Sequence, residues 1–164
     1  MICTQHYDSP LGGILLAADE SGLTGLWFDG GRYFAEGLSA AHIRQETPIL
    51  AAAKGWLDIY FTGREPDFLP PLHPTGSPFQ QGVWALLLQI PYGQTVTYGQ
   101  LAARLAEEQG LAQMSAQAVG GAVGRNRISL IIPCHRVVGA DGSLTGYAGG
   151  LDRKEKLLAW EHGK

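Results

Sequence analysis

The stretch Pro66–Pro78, PDFLPPLHPTGSP, decides how the chain is organised because it holds five of the nine prolines. Each proline fixes its own backbone torsion and disfavours helix at the residue before it, so this stretch is predicted to be a linker. The 164 residues suffice for one ordinary domain or for two small ones packed together. We therefore expect an N-terminal domain over residues 1–76 and a C-terminal domain over residues 77–164.

Short apolar runs separated by turn residues occupy the first part of the chain and favour an antiparallel sheet. The runs are Met1–Tyr7, Ile14–Ala18 and Leu23–Asp29. Thr47 then offers a helix cap ahead of Pro48, and the helix is predicted to end near Gly63. Its apolar face consists of Leu50, Leu57 and Tyr60. This helix is predicted to cover one face of the sheet.

Capping residues divide the second half into helices. Ser77 precedes a helix predicted to stop at Pro91, Thr97 caps one reaching about Ala106, and Ser115 caps a short one. Two short capped helices in succession indicate a helix-turn-helix.

The segment after the helix-turn-helix begins with the apolar run Ile128–Ile132, which predicts a strand. Pro133 and Cys134 follow it, and a glycine-rich loop spans Gly139–Gly150. A last helix is predicted from about Leu151 to His162.

Composition excludes several classes of protein. The net charge is −3, with −5 in residues 1–77 and +2 in residues 78–164, which argues against a broadly basic nucleic-acid binder. The apolar runs are far shorter than the roughly 20 residues of a membrane-spanning helix, so no membrane association is expected. The first ten residues contain Asp8 and no Lys or Arg, and we expect a cytoplasmic protein.

The two cysteines, Cys3 and Cys134, make a disulfide framework unexpected and leave a thiol free for packing or chemistry. Cys3 has only His6 near it in sequence, which falls short of the ligands that a zinc site needs. No metal is therefore expected.

Three strings of the second half carry a resemblance to a known family. They are Gln117–Ala122 (QAVGGA), Ile131–Val138 (IIPCHRVV) and Tyr147–Leu151 (YAGGL), with Asn126 between the first two. Together they resemble the O6-alkylguanine-DNA alkyltransferases, densely from about Gly82 to Glu161 and only in topology before that. The resemblance implies an α+β fold with a ribonuclease H-like N-terminal sheet-and-helix domain and a C-terminal winged helix-turn-helix-like alkyltransferase domain.

The resemblance implies direct-reversal DNA repair, in which the alkyl group of O6-methylguanine moves irreversibly to Cys134 in a single turnover and without a cofactor. The partner would be double-stranded DNA containing O6-alkylguanine. The base must leave the stack to reach a buried thiol. In the family, a tyrosine matching Tyr98 donates to the departing guanine, and an asparagine matching Asn126 is a hinge. Acceptance of O4-methylthymine stays open.

The Cys134 thiol needs a base or a positive field to become a nucleophilic thiolate, because a free cysteine has a pKa near 8.5 and is mostly protonated at neutral pH. His135 is the available base. Adjacent residues of an extended chain point to opposite sides, so we expect His135 to act through a water molecule or a local turn. Glu161 could orient the imidazole as the third member of a triad does, and the resemblance assigns it that role.

The resemblance also implies two sets of binding residues. DNA contacts are expected from Ser115, Ala116, Gln117 and Gly120. The charge cluster around the motif adds Arg125 and Arg127 as expected phosphate contacts, with a solvated face as the alternative. The pocket for the flipped base is expected to consist of Tyr98, Ser129, Val137, Tyr147 and Ala148. Arg153, Lys154 and Lys156, which begin the last helix, are weaker candidates for phosphate contacts, and Arg136 is expected to form a structural ion pair.

Two features depart from the family pattern. Gln117 stands where the family has an arginine that fills the gap left by the flipped base, and glutamine supplies no charge there. The connector Glu107–Leu111 is longer and more acidic than usual. We expect weaker flipping or a different preference among lesions.

Other functions compete with this interpretation. The main alternative is a lesion-binding, alkyltransferase-like sensor without efficient repair, but such proteins replace the acceptor cysteine. A Cys-His hydrolase would need an oxyanion hole and turnover. A transcription regulator using the helix-turn-helix alone is disfavoured by the lack of dimer features. We expect a monomer, and cooperative binding along DNA stays open.

Overall fold

The computed structural model describes residues 1–162 and mixes short strands with helices, so the predicted α+β class is confirmed. In chain order the elements are β1 (Cys3–Ser9), β2 (Gly12–Ala18), β3 (Leu23–Phe28), β4 (Ile43–Arg44), α1 (Pro48–Tyr60), α2 (Pro78–Leu87), β5 (Val96–Thr97), α3 (Tyr98–Glu108), α4 (Ala116–Gly124), β6 (Val137–Val138) and α5 (Leu151–Glu161). A single 3-10 turn at Cys134–Arg136 lies just before β6.

The N-terminal sheet has the order β3-β2-β1-β4. Strands β1, β2 and β3 form an antiparallel meander, as predicted, and β4 adds to the outside of β1 in parallel. The sequence did not reveal β4, because two exposed residues provide no alternating pattern. Helix α1 lies against the sheet, its start capped by the Thr47 hydroxyl, which accepts from the Leu50 N–H at 3.2 Å. The predicted face of Leu50, Leu57 and Tyr60 is buried.

The predicted linker is irregular over most of its length, yet it lies against the sheet. The Leu23 N–H donates to the Pro71 carbonyl at 2.8 Å, and the His73 N–H donates to the Leu23 carbonyl at 2.7 Å. These bonds satisfy the open edge of β3. The linker is therefore a fixed strap.

The helix caps of the second half lie where the sequence predicts them. The Ser77, Thr97 and Ser115 hydroxyls each accept from the backbone N–H three residues later, and α3 and α4 form the predicted helix-turn-helix. Helix α2 ends at Leu87, earlier than the expected Pro91.

The predicted strand at Ile128–Ile132 is wrong. The segment folds into tight turns, with Ile131 N–H donating to the Ser129 carbonyl and Leu130 at φ 74°. All five residues are buried, and a short apolar run does not by itself distinguish a strand from a buried turn. One contact of strand type remains, because the Leu26 N–H donates to the Arg127 carbonyl at 2.8 Å and the Ser129 N–H donates to the Leu26 carbonyl at 3.1 Å.

Both halves contribute to one continuous core. Leu26 and Phe28 of the sheet and Leu57 of α1 belong to the same buried cluster as Trp84 and Ile132 of the second half. The Trp84 Nε1–H donates to the Ala122 carbonyl at 2.9 Å, which ties α2 to α4. Across residues 1–162, no helix combines the length and apolarity required to cross a membrane.

Candidate active site

Cys134 begins the 3-10 turn that follows the buried segment, and only 4% of its surface is exposed. Both cysteines are free thiols. The turn places Cys134, His135 and Arg136 together in the interior, so the local turn that the sequence left as one option is present. The strand expected before Cys134 is replaced by the tight turns described above.

Asn126 supports the segment on which Cys134 sits. Its side-chain amide donates to the Ile132 carbonyl at 2.8 Å and to the Ile128 carbonyl at 3.3 Å, and its oxygen accepts from the Ile128 N–H at 3.0 Å. One buried side chain thus closes the loop between the end of α4 and the cysteine. This placement suits the hinge expected from the resemblance.

The electrostatic surroundings of the Cys134 thiol act in opposite directions. Burial raises the pKa of the Cys134 thiol to about 11, because the thiolate loses its hydration. A hydrogen bond with Asn126 and the positive charge of Lys154 favour the thiolate and oppose that rise. The resting cysteine is therefore a thiol at neutral pH and needs a base to react as a nucleophile.

His135 and Glu161 form a fully buried pair. The His135 Nε2 lies 2.6 Å from Oε2 of Glu161 and donates to it, since an ionised carboxylate only accepts. In the neutral imidazole this leaves Nδ1 as the acceptor, and Nδ1 is buried with no hydrogen-bond partner in the described part of the chain. Burial lowers the pKa of His135, with Glu161 opposing, so the ring is a neutral base.

The Glu161 carboxylate is the most densely bonded group of the site. Its Oε2 also accepts from the Tyr60 hydroxyl at 2.7 Å and from Arg136 Nη2 at 3.1 Å, while Oε1 accepts from Arg136 Nε at 2.8 Å and from the Gly93 N–H at 3.2 Å. Burial alone would raise the pKa of Glu161, but the hydrogen bonds and charges of His135 and Arg136 outweigh it and hold this pKa far below its usual range. The predicted structural ion pair of Arg136 is present.

Lys154 belongs to this site, although its sequence position favoured a contact with phosphate. Its ammonium is buried and donates to the carbonyls of Val137 at 2.6 Å, Thr145 at 2.7 Å and Gly146 at 3.3 Å. Burial lowers the pKa of Lys154 to about 8. The phosphate contact considered for Lys154 is therefore wrong. Leu157 and Glu161 follow Lys154 by three and seven residues, a spacing that places all three on one face of a helix. This spacing could have predicted that Lys154 lies on the buried face of α5.

Arg153 likewise points inward. Its guanidinium donates to the carbonyls of Leu11, Gly149 and Asp29 at 2.9–3.1 Å and stacks over Phe28. It joins the start of α5 to the N-terminal sheet, and each of its three nitrogens already donates to a backbone carbonyl.

The residues expected around the base differ in their burial and in their hydrogen-bond partners. Ser129 and Val137 are buried, but the Val137 carbonyl is already bonded to Lys154. The Tyr147 hydroxyl is buried and unpaired among residues 1–162, and its ring lies edge-on to His135 at 6.4 Å between centroids. The Ala148 carbonyl accepts from the Arg32 N–H at 2.7 Å.

Tyr98 lies at the first residue of α3, facing the same loop. Its hydroxyl donates to the Thr145 carbonyl at 3.3 Å, and the Lys154 ammonium lies 6.0 Å from its ring centre. A Cβ on Gly120 would lie 3.6 Å from the Tyr98 ring. Gly120 therefore packs against Tyr98 in this structure.

The other residues expected to contact DNA divide into two groups. Ser115, Ala116 and Gln117 are exposed at the start of α4. Arg125 and Arg127 follow the end of α4 and contact the N-terminal half: Arg125 Nη1 lies 2.9 Å from Glu36 Oε1, and Arg127 Nη1 donates to the Thr75 hydroxyl at 2.8 Å. The Arg125 guanidinium also lies 4.1 Å from the centre of the Tyr33 ring.

The described residues contain no cluster of three or more His, Cys, Asp or Glu side chains placed to hold a metal ion. The site consists of the Cys134 thiol, the His135–Glu161 pair, two buried cations and three tyrosines. The cations are Arg136 and Lys154, and the tyrosines are Tyr60, Tyr98 and Tyr147. Such a set can deprotonate a thiol and protect its reaction from water.

Comparison with known proteins matches both halves of the chain. A family model described as "6-O-methylguanine DNA methyltransferase, DNA binding domain" matches residues 78–163, and one described as its "ribonuclease-like domain" matches residues 2–74. Two relatives are named methylated-DNA–protein-cysteine methyltransferase. The protein from Methanosarcina acetivorans is 43% identical to this chain, and the match covers 94% of this chain and 95% of the relative. The protein from Mycobacterium leprae is 44% identical, and the match covers 98% of this chain and 93% of the relative.

Solved structures agree with these sequence matches. The structure of Mycobacterium tuberculosis OGT in complex with DNA has a TM-score of 0.82 and 40% identity, and the match covers 99% of this chain and 92% of that chain. The predicted ribonuclease-like and DNA-binding halves are confirmed as the fold class. Because both family models and relatives of more than 40% identity cover nearly the whole sequence, the chain belongs to the O6-methylguanine-DNA methyltransferase family.

Proposed function

We propose that this chain repairs O6-alkylguanine in double-stranded DNA by transferring the alkyl group irreversibly to its own Cys134. The observation that carries the proposal is the buried Cys134 thiol beside the neutral His135, whose Nε2 is held by Glu161 at 2.6 Å. Nδ1 of His135 is left free to take the thiol proton, directly or through a water molecule. The names of the relatives support the same activity.

The transfer is a displacement at the alkyl carbon. The Cys134 sulfur forms a bond to that carbon, the bond from carbon to O6 breaks, and the electron pair stays on guanine. We assign Tyr98 as the donor that neutralises the departing base, because its hydroxyl lies at the loop that carries Tyr147. The thioether product has no proton to lose and no good leaving group, so each molecule acts once.

The damaged base must leave the duplex, because a buried thiol cannot reach an atom inside the base stack. We assign the exposed first turn of α4, with Ser115, Ala116 and Gln117, to the groove, and Gln117 to the space left by the base. Ser129, Val137, Tyr147 and Ala148 would line the pocket around the base, and Gly120 would act by packing against Tyr98.

The proposal also covers the oligomeric state, the cellular compartment and a second substrate. The protein works as a monomer, because every group of the site comes from one chain. It acts in the cytoplasm, where reducing conditions suit two free cysteines. O4-methylthymine is a second substrate to be tested in the same assay.

The test is mass spectrometry of the intact protein after incubation with a duplex containing one O6-methylguanine. We expect one methyl group per molecule on the peptide that contains Cys134, and an excess of damaged duplex should add no more. The variant Cys134→Ala should gain nothing, and the matched variant Cys3→Ala should gain the same single methyl group. Tight binding without any methyl gain would instead identify a lesion sensor, and methyl-free protein that restores many duplexes would identify a true turnover enzyme.

A further inference from the structure

Tyr60 joins the N-terminal domain to the acceptor site through one hydrogen bond. It is the last residue of α1, it is fully buried, and its hydroxyl donates to Oε2 of Glu161 at 2.7 Å across 101 positions of sequence. Neither the alkyl transfer nor the binding of DNA, as proposed, uses Tyr60.

The Tyr60 ring is held on several sides. Trp56 stacks on it at 5.3 Å between ring centres, and Phe61 and Tyr92 approach it edge-on at 5.2 and 6.1 Å. The Tyr60 carbonyl also accepts from the Nε1–H of Trp160 at 3.0 Å, and Trp160 directly precedes Glu161 in the sequence. Tyr60 therefore cannot turn its hydroxyl away without disturbing the surrounding packing.

The Tyr60 hydroxyl and the His135 Nε2–H donate to the same carboxylate oxygen. Each donor stabilises the negative charge on this oxygen, so the oxygen attracts the other donor less strongly. The orientation of Glu161 does not depend on Tyr60, because Arg136 holds both oxygens and Gly93 holds Oε1. What Tyr60 changes is the charge that Oε2 offers to the imidazole.

We propose that Tyr60 is a positioning residue that keeps His135 neutral and able to accept the Cys134 proton. A protonated His135 would carry hydrogen on both ring nitrogens, and its Nδ1 could no longer act as a base. By sharing Oε2, Tyr60 limits how strongly Glu161 stabilises the imidazolium. This inference rests on the proposed function and gives the N-terminal domain a part in the chemistry.

The groups that face the His135–Glu161 pair come from several elements. They are Tyr60 of α1, Tyr92 after α2, Cys134 and Arg136 of the 3-10 turn, Tyr147 of the loop before α5, and Lys154 of α5. The positive charges of Arg136 and Lys154 also disfavour the imidazolium. The proposed effect of Tyr60 acts in the same direction.

Tyr92 provides a matched control. Its ring packs edge-on against Tyr60, and its hydroxyl is buried but has no hydrogen-bond partner among the described residues. Tyr60→Phe and Tyr92→Phe thus remove the same buried hydroxyl oxygen from two neighbouring rings, of which that of Tyr60 is fully buried and that of Tyr92 is half-buried, and only the first removes a donor from Glu161.

The first measurement is the pKa of His135 in wild type, Tyr60→Phe and Tyr92→Phe. It is obtained from the nitrogen chemical shifts of the imidazole as a function of pH. We expect Tyr60→Phe to raise this pKa by about one unit and Tyr92→Phe to leave it unchanged. Equal values in wild type and Tyr60→Phe overturn the proposal, as does an equal rise in Tyr92→Phe. Because this measurement needs no DNA, it separates a failure of the inference from a failure of the proposed function.

The second measurement is the single-turnover rate of alkyl transfer against pH. In Tyr60→Phe the acidic limb should move to higher pH by about one unit while the rate on the plateau is kept. A role in packing alone would lower the plateau and leave the limb in place, and this result would overturn the proposal. Urea unfolding of both variants identifies any loss of rate that arises from an unfolded fraction.

Discussion

Arg125, the residue that follows α4, lies with its Nη1 2.9 Å from Oε1 of Glu36 in the N-terminal domain. Arg127 Nη2 lies 3.8 Å from the same oxygen. The two arginines expected to meet DNA phosphates are therefore partly neutralised by one carboxylate. If these guanidinium groups contact DNA, the phosphates compete with Glu36 for them.

Replacing Glu36 should strengthen DNA binding. In Glu36→Gln the arginines no longer have a carboxylate partner, and we expect a gain of about 1.4- to fivefold in affinity for undamaged duplex, in line with about 0.2–1 kcal/mol for a surface ion pair. The measurement is a binding titration at several salt concentrations. Glu46→Gln, which removes the partner of Lys54, is the control and should bind as wild type. Equal affinities for all three proteins would show that Arg125 and Arg127 do not contact DNA.

Gln117→Arg should increase the repair of duplex substrates. An arginine at this exposed position of α4 adds a positive charge near the phosphates and a longer side chain for the space left by the base. We expect a faster single-turnover rate on O6-methylguanine in duplex DNA, and no change with the free base O6-benzylguanine, which needs no flipping. An unchanged duplex rate would contradict the assignment of Gln117.

Lys154→Met should reduce the reactivity of Cys134. The ammonium favours the thiolate and holds three loop carbonyls, and methionine can do neither. We expect the pKa of the Cys134 thiol to rise, and a rise of one unit corresponds to about a tenfold loss of thiolate at neutral pH.

Iodoacetamide labelling against pH measures this change, with the Cys134 and Cys3 peptides resolved by mass spectrometry. Lys156→Met is the control, since Lys156 is exposed on the same helix. Identical labelling of Cys134 in Lys154→Met and wild type would refute the electrostatic role of Lys154.

Glu161→Gln should destabilise the fold in a pH-dependent way. Removing one partner from a buried ion pair leaves Arg136 unpaired and costs about 3–5 kcal/mol. Because folding lowers the pKa of Glu161 below its ordinary value of 4.5, its contribution is complete above that pH and declines as the pH falls below it. The difference in the free energy of unfolding between wild type and variant should shrink in acid.

Urea titrations between neutral pH and about pH 3 test this dependence, because below pH 4.5 the carboxyl group takes up a proton in the unfolded chain while it stays ionised in the folded protein. Glu155→Gln, an exposed change on the same helix, should show no such dependence. A difference that stays constant with pH would mean that folding does not lower the pKa of Glu161.

The sequence by itself determined the parts of this protein that depend on local chemistry. Prolines marked the strap, the hydroxyls of Thr47, Ser77, Thr97 and Ser115 marked the helix starts, and the string around Cys134 marked the acceptor. These signals work because a cap or a fixed torsion acts over three or four residues. The buried face of α1 also followed from its spacing.

Only the tertiary structure decided which distant groups meet. It brought Tyr60 to Glu161, buried Lys154 beneath the active-site loop, turned Arg153 inward and paired Arg125 with Glu36. It also folded the apolar run before Cys134 into turns around Asn126. A hydroxyl or an ammonium group that loses water on folding must find a partner, and which partner is in reach depends on how the two halves pack.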